Sequence, residues 1–342
     1  MTTTERNIHF GVLGASLALA VWVFAAEPHS AGPATRADAR ARASEERSAL
    51  SIIPPGSAFL LSADLRSLTR APLGAFIAER LQRSAGASKF VELCGFDPLT
   101  RLDQLALAVP SANLAAPGHP EDFGIVASGR FRAAEIAHCA RAAISARSGE
   151  AIQTKLGSFD SVRDRKASSG EIAAKDGLVV VSGGSYLREL LDSAEGQPGR
   201  DDARDVRDAR HAELRRALGP GPLLASWLLG EGWFERVAGD DTNAKLSPLS
   251  ALKTVSARID VGQTAELLVV LECADREGAT RISSLFSELR SSLGALPLDP
   301  ALVQIARRIT VSQSGAHLKL QLDLNRAELA PVLDALLGPE RP

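Results

Sequence analysis

The chain has 342 residues, 45% of them hydrophobic, which is enough for one large core or two modest ones. Its formal net charge is −2, with 39 basic residues against 41 acidic ones. This balance excludes an extended basic surface for nucleic acid or anionic lipid.

An uncharged apolar run, Phe10–Ala26, is the most distinctive segment. As a helix it would extend roughly 26 Å, near the lower limit for crossing a bilayer core. A cleaved secretory signal and a buried helix are the alternatives, but a signal usually begins with net positive charge. Here Arg6 is offset by Glu5. We therefore predict an uncleaved transmembrane anchor, with the lipid bilayer as its partner.

The charges that flank this run give conflicting signals about topology. Arg36, Arg40 and Arg42 follow the run, which would retain the body in the cytoplasm under the positive-inside rule. Acidic residues lie among them, however, and large domains are translocated largely regardless of such charges. We predict a single-pass protein of the cell membrane whose body lies on the periplasmic or extracytoplasmic side.

Composition divides the rest of the chain. Residues 27–50 are rich in Ala, Pro, Arg and Glu and predict a flexible tether. A first α+β module follows at 51–195 and a second at 219–338. Between them, residues 196–218 alternate Asp and Arg at helical spacing, which predicts a charged, solvated linker helix.

The first module contains predicted strands at 57–65, 103–110 and 122–131, of which the last two should pair. Helices are predicted from Pro72, over 133–146, and from a Ser185 cap to about Ala194. A hairpin at 171–183 turns at Asp176-Gly177. The second module repeats this order, with strands at 222–229, 254–261 and 266–274, a helix at 275–293, a hairpin at 308–324 turning near Ser314-Gly315, and a helix at 326–337.

This repeated order predicts an α+β fold of two tandem modules, each an antiparallel sheet covered on one face by helices. Residues 151–164 are extra in the first copy, and chance agreement is the alternative to duplication. In the second module the alternating Leu318, Leu320, Leu322 and Leu324 should face a helix that carries Ile282, Phe286 and Leu289. The corresponding face in the first module is Val179 and Val181, covered by Ile136 and Ala140.

The start of the body resembles an uncharacterised exported bacterial protein family with no known activity. The resemblance rests on Ile53-Pro54-Pro55-Gly56, on Leu61 to Leu65 ending in Asp-Leu, and on Pro72-Leu73-Gly74. Cys94-Gly95-Phe96-Asp97-Pro98 also fits, and the match is best over 52–131. The resemblance implies export and a shared fold, but no chemistry.

The sequence contains no strong catalytic motif: H-E-x-x-H, the P-loop, G-x-G-x-x-G after a strand and G-x-S-x-G are missing. The three cysteines include no C-x-x-C pair, and at most one disulfide can form. We expect three buried, small apolar side chains. Cys94 and His138 remain a remote nucleophile pair, whereas the adjacent His138 and Cys139 cannot face one site.

Four weaker constellations have simpler structural interpretations. Asp208, His211 and Glu213 resemble a metal set, but i,i+2 neighbours on a helix point apart, which favours a salt-bridged surface. Residues 239–243 lack the spacing of a calcium loop. Gly183-Gly184-Ser185 fits a plain strand–helix connection, and Trp227 and Trp233 fit core or rim packing. We assign no catalytic, cofactor-binding or metal residues and expect no cofactor.

These observations predict a membrane-anchored, exported, non-enzymatic protein that binds or scaffolds at the cell envelope. Its partners would be the bilayer and an envelope protein or hydrophobic ligand, with no nucleic acid. The alternatives are a carrier that holds a hydrophobic ligand between sheet and helices, and an enzyme with no recognisable motif.

Overall fold

The computed structural model of the chain describes residues 48–97, 100–110, 123–166, 170–196, 202–238, 244–293 and 300–337. The predicted anchor at 10–26 and nearly all of the tether lie outside these residues. Among the helices within these ranges, none combines the length and apolar character that crossing a membrane requires.

Twelve strands form one antiparallel sheet in the order β11-β12-β10-β9-β8-β1-β2-β3-β7-β6-β5-β4. The strands are β1 (Ser57–Asp64), β2 (Leu102–Pro110), β3 (Gly124–Gly129), β4 (Ala151–Leu156), β5 (Phe159–Asp164), β6 (Glu171–Lys175), β7 (Leu178–Ser182), β8 (Leu223–Leu228), β9 (Leu252–Val261), β10 (Ala265–Cys273), β11 (Thr310–Ser314) and β12 (His317–Leu324). Because β1 pairs with β8, the strands of the two predicted modules belong to a single sheet.

Helices connect the strands and cover the sheet. They are α1 (Leu65–Arg70), α2 (Pro72–Gln82), α3 (Ala85–Cys94), α4 (Ala133–Ala146), α5 (Tyr186–Ala194), α6 (Asp202–Leu218), α7 (Trp233–Ala238), α8 (Arg276–Ser292), α9 (Pro300–Arg307) and α10 (Arg326–Leu337), with 3₁₀ helices at Ala49–Ile52 and Ala244–Ala251. The mixture of helices and antiparallel strands confirms the predicted α+β class.

Several local predictions agree closely with the structure. The helix at 133–146 has the predicted bounds. Both hairpins form, and Gly177 and Gly315 adopt positive φ angles in their turns. Residues 151–164 form the β4–β5 hairpin. Ser185 stands at the N-cap of α5, but its side chain makes no capping hydrogen bond.

The sheet is covered on two faces, which corrects the prediction of a single covered face. Successive residues of a strand point to opposite faces, and the neighbours Leu105 and Ala106 belong to different core clusters. Ala106 packs with the 49–52 turn and α5 on what we call the front face. Leu105 packs with α1, α2 and α10 on the back face. Sequence periodicity missed this because the central strands carry apolar or small residues on both faces.

The second half of the sheet is covered mainly on its back face. Leu318 is fully buried there with Ile282 of α8, and Phe286 and Leu320 pack against the same cluster. On the front face, the alternating residues Lys319, Gln321 and Asp323 are exposed. Leu289 was predicted to lie in this core, but it is 44% exposed. It shares the face of α8 that carries Ile282 but lies two turns further along the helix, where it is no longer part of the core cluster.

The first half repeats the arrangement on the back face. Ile136 of α4 packs against Val179 and Val181, as predicted. Ala140 belongs to a neighbouring cluster with Val162 and Ile172 on the adjacent strands. Both α4 and α8 therefore cover the same face of the sheet.

Candidate functional site

A disulfide between Cys94 and Cys139 joins the last residue of α3 to the middle of α4. All three cysteines are buried as expected, but two of them form the single disulfide that the sequence allowed, and Cys273 is free. The two joined residues are separated by 45 positions in sequence. Folding brings them together because α3 and α4 pack through a small apolar cluster that also contains Phe96 and Ile136.

A cleft of about 270 Å³ opens beside this disulfide. Its walls come from the end of α3, the start of β2 and the first turns of α4. The lining residues are Cys94, Gly95, Phe96, Arg101, Arg132, Ala134, Glu135 and His138. Gly95 ends α3 in the left-handed conformation and contributes no side chain to the cleft.

Glu135 lines the cleft and contacts both of its arginines. Its Oε2 accepts the backbone N–H of Arg132 at 2.9 Å, and its Oε1 lies 3.0 Å from Nη1 of Arg101. The backbone hydrogen bond from Arg132, together with the Arg101 guanidinium, lowers the pKa of Glu135 from 4.5 to about 2. The carboxylate therefore stays ionised at any ordinary pH.

Aromatic contacts hold Arg101 in place. Its Cζ lies 5.0 Å from the centroid of the Phe96 ring, a cation–π distance. Phe96 in turn meets Phe90 edge-to-face, with ring centroids 6.1 Å apart. The Arg101 guanidinium thus lines the cleft while it contacts both the Phe96 ring and the Glu135 carboxylate.

The structure brings Cys94 and His138 to the same cleft, as the sequence allowed. Because Cys94 is oxidised, however, it has no thiolate to act as a nucleophile. His138 lies on the exposed side of α4, next to the disulfide residue Cys139. The pair defines one wall of the cleft and forms no Cys–His dyad.

A second polar cluster lies between α6 and the centre of the sheet. His211 is 2% exposed, which corrects the prediction of a salt-bridged surface residue. Its Nε2 lies 2.9 Å from the Ser57 carbonyl oxygen, so Nε2 must be the protonated donor. Its Nδ1 lies 2.7 Å from the Ser226 hydroxyl oxygen. The ring thus ties α6 to both β1 and β8.

The remaining polar residues of α6 strengthen this attachment. Arg215 donates to the Ser62 hydroxyl at 2.8 Å, and Arg210 pairs with Glu272 on β10. The helix predicted as a solvated linker is therefore docked on the sheet by polar contacts. Sequence spacing missed this because the partners lie far from α6 in the chain.

The other predicted constellations separate in the structure. Glu213 pairs with Arg210, and Asp208 accepts the backbone N–H of Gly56, so neither joins His211 in a site. Trp227 and Trp233 pack together with ring centroids 6.4 Å apart, as predicted for core or rim residues. Gly183 and Gly184 connect β7 to α5, and residues 239–243 lie outside the described residues.

In the part of the chain that the structure describes, no three or more His, Cys, Asp or Glu side chains gather in a way that would hold a metal ion. The strongest candidate site is therefore the disulfide-walled cleft. It was overlooked at the sequence level because its charged residues, Arg101, Arg132 and Glu135, belong to no known motif.

Comparison with known proteins gives limited information. No protein-family model matches the chain, and no curated protein matches its sequence. Crystal form III of TP0453 is similar with a TM-score of 0.47 and 11% identity, covering 85% of this chain and 99% of that one. Crystal form I of TP0453 gives a TM-score of 0.42 and 12% identity, covering 86% and 99%. At these values the likeness assigns no function.

Proposed function

We propose that the protein is an exported, membrane-anchored, non-enzymatic binding or scaffolding protein of the cell envelope. Residues 10–26 would hold it in the membrane, and the α+β body would lie on the periplasmic or extracytoplasmic side. In this proposal the body presents the disulfide-walled cleft to its surroundings. The proposal includes membership of the exported bacterial family that the first residues of the body resemble.

The observation that carries the proposal is the Cys94–Cys139 disulfide. Disulfides form and persist in oxidising compartments and are rare where thiols are kept reduced. The two sulfur atoms join separate helices in a buried cluster, so the bond contributes to the packed structure. A body that contains this bond fits the export predicted from the apolar run.

The side chains that could take part in catalysis are either buried or held in ion pairs, which supports a binding role over a catalytic one. Ser226 and His211 form a hydroxyl–imidazole pair, but they are 1% and 2% exposed, so a substrate cannot reach them. Glu135 is held ionised between two arginines and is a poor proton acceptor at neutral pH.

The packing between sheet and helices does not favour a carrier of hydrophobic ligands. Such a carrier needs an apolar space between these layers. Ile282 and Leu318 instead fill this region of the second half with fully buried side chains. The cleft at α3 and α4 is lined by charged residues and lies outside these layers.

Membrane fractionation of the full chain tests the anchor. Replacing Leu17 and Val21 with Arg should cost roughly 5–7 kcal/mol of insertion free energy and release the protein into the soluble fraction. The matched control is Leu17→Ala with Val21→Ala, which should stay with the membrane. Retention of the doubly charged variant in membranes would refute anchoring through this run.

Thiol labelling tests export independently. In intact cells treated with a membrane-permeant alkylating reagent and then denatured, Cys94 and Cys139 should be labelled only after reduction. External protease added to cells with a permeabilised outer layer should degrade the body. Labelling of both cysteines without reductant, together with protease resistance, would place the body in the cytoplasm and contradict the proposal.

A further inference from the structure

The charges that line the disulfide-walled cleft do not balance. Arg101 and Arg132 both approach the same oxygen of Glu135, at 3.0 and 3.4 Å. Among the residues that line the cleft, one carboxylate therefore faces two guanidinium groups, which leaves a surplus positive charge on the lining. His138 lines the same cleft.

The arginines keep hydrogen-bonding capacity beyond Glu135. A guanidinium carries five N–H donors, and the contacts with Glu135 involve one terminal nitrogen of each side chain. The side chain of Arg132 is 76% exposed, so a ligand in the cleft can reach its guanidinium group. Arg101 is already positioned by the Phe96 ring, which reduces the entropy lost on binding.

The size of the cleft limits the ligand. A volume of about 270 Å³ lies just below the usual range for ligand sites, which favours a small molecule or a terminal group of a larger one. Gly95 leaves one side unobstructed, because a Cβ at this position would meet no atom within 4 Å. The disulfide holds the ends of the cleft together by joining α3 to α4.

We propose that this cleft binds a small oxyanion, a carboxylate or a phosphate, through the guanidinium groups of Arg101 and Arg132. Planar guanidinium groups match the geometry of both anions and bind them through paired N–H donors. The ligand class deepens the binding role proposed above and rests on it. Cationic ligands are disfavoured by the surplus positive charge.

Calorimetric titration of the full-length, detergent-solubilised protein tests this assignment, with sodium phosphate and sodium acetate as probes at constant ionic strength. Saturable binding of at least one anion is expected, and the two arms show which oxyanion is preferred. Arg132→Gln should weaken binding by about tenfold or more, because a charge-assisted hydrogen bond is lost. Arg188→Gln, at an exposed site on α5, is the matched control and should change nothing.

A second pair of variants leaves both arginines in place. Ala134 is exposed, lines the cleft and lies in the first turn of α4. Ala134→Glu adds a negative charge there and should abolish binding, whereas Ala134→Gln, of similar size, should retain it. Thermal unfolding of each variant shows whether the fold is preserved.

Three results would overturn the proposal. One is the absence of saturable binding of both anions up to about 10 mM. Another is unchanged affinity in both Arg132→Gln and Ala134→Glu, and the third is an equal loss in Arg188→Gln. Fractionation and thiol labelling are read separately, so failure of anion binding leaves the proposed location standing.

Discussion

Leu61 on β1 lies directly opposite Ala225 on β8, at the centre of the sheet. The paired residues can be followed outward from here, one strand at a time, toward both ends of the sheet. The partners reached in turn are Leu107, Ile125, Val181 and Ile172 on one side, and Ala257, Val269, Leu320 and Val311 on the other. The strands on the two sides also follow a corresponding chain order, β1-β2-β3-β7-β6 and β8-β9-β10-β12-β11, as the predicted repeat requires, while β5 and β4 extend the first side only.

The buried histidine of α6 should be important for stability. His211→Ala removes two hydrogen bonds and leaves the Ser226 hydroxyl and the Ser57 carbonyl without this partner at a buried site. We expect the free energy of unfolding to fall by about 2–4 kcal/mol, measured by urea denaturation. Glu213→Ala, at a side chain that is mostly exposed on the same helix, should cost less than about 0.5 kcal/mol. Equal losses would contradict a specific role for the histidine.

Two adjacent residues of β12 should respond very differently to substitution. Leu318 is fully buried against α8, so Leu318→Ala should cost about 2–5 kcal/mol in chemical denaturation. Lys319 faces solvent on the front face, and Lys319→Ala should change stability by less than about 0.5 kcal/mol. Leu320, half-buried beside the same cluster, should give an intermediate loss. Similar values at 318 and 319 would show that β12 is not in the described register.

Breaking the Cys94–Cys139 disulfide should lower the free energy of unfolding of the body. The bond joins two helices, so its loss removes no contact between strands. The loop it closes spans 45 positions, for which the chain-entropy model gives a contribution of about 4 kcal/mol, and measured values are typically about 2–4 kcal/mol. Cys94→Ser with Cys139→Ser should therefore lower the denaturation midpoint, and reduction of the native protein should lower it by a similar amount. Cys273→Ala is the control, and its midpoint should still respond to reductant.

The pH dependence of stability should reveal the state of Glu135. Because its pKa is lower in the folded protein than in the unfolded chain, its contribution is present above pH 4.5 and is lost as the pH falls toward about 2. Urea midpoints measured between pH 2 and pH 6 should drop less steeply in Glu135→Gln than in the native protein. Glu92→Gln, at an exposed position on α3, should follow the native curve. A native-like slope in Glu135→Gln would mean that this carboxylate is not linked to folding.

Limited proteolysis tests the domain boundary at the tether. Residues 27–48 contain too little apolar surface to pack, so they should be cut first. Mass spectrometry should then identify a soluble body that begins near Leu50, whose neighbours Ala49 and Ile52 are buried against the front face. A first cut between 52 and 190 would contradict this boundary.

Local features of the fold were predictable because their signals are contained in short stretches of sequence. Leu318, Leu320, Leu322 and Leu324 alternate strictly, and Asp176-Gly177 is a strong two-residue turn. The short helices α1 and α9 were missed, because eight or fewer residues contain barely two turns of apolar periodicity. The joining of both halves in one sheet depends on β1 and β8, whose mutual pairing leaves no local trace.

The candidate site was less predictable than the fold. Cys94 and Cys139 are far apart in sequence, and connectivity among three cysteines cannot be read from spacing. The aspartates and arginines of α6 have the spacing of a solvated helix, yet the burial of His211 is decided by Ser226 and Ser57, which only the folded sheet brings to it. Contacts of this kind arise from tertiary packing.

The pairing of β1 with β8 also determines the order in which the chain can complete its structure. A chain that emerges from its amino terminus forms β1 early, but one edge of that strand stays without a neighbour until residue 228 has followed. For most of that interval an open strand edge is available to other chains, a recognised route to aggregation. The edge of β1 that pairs with β8 is therefore the later of its two edges to be covered during synthesis, after the edge that pairs with β2.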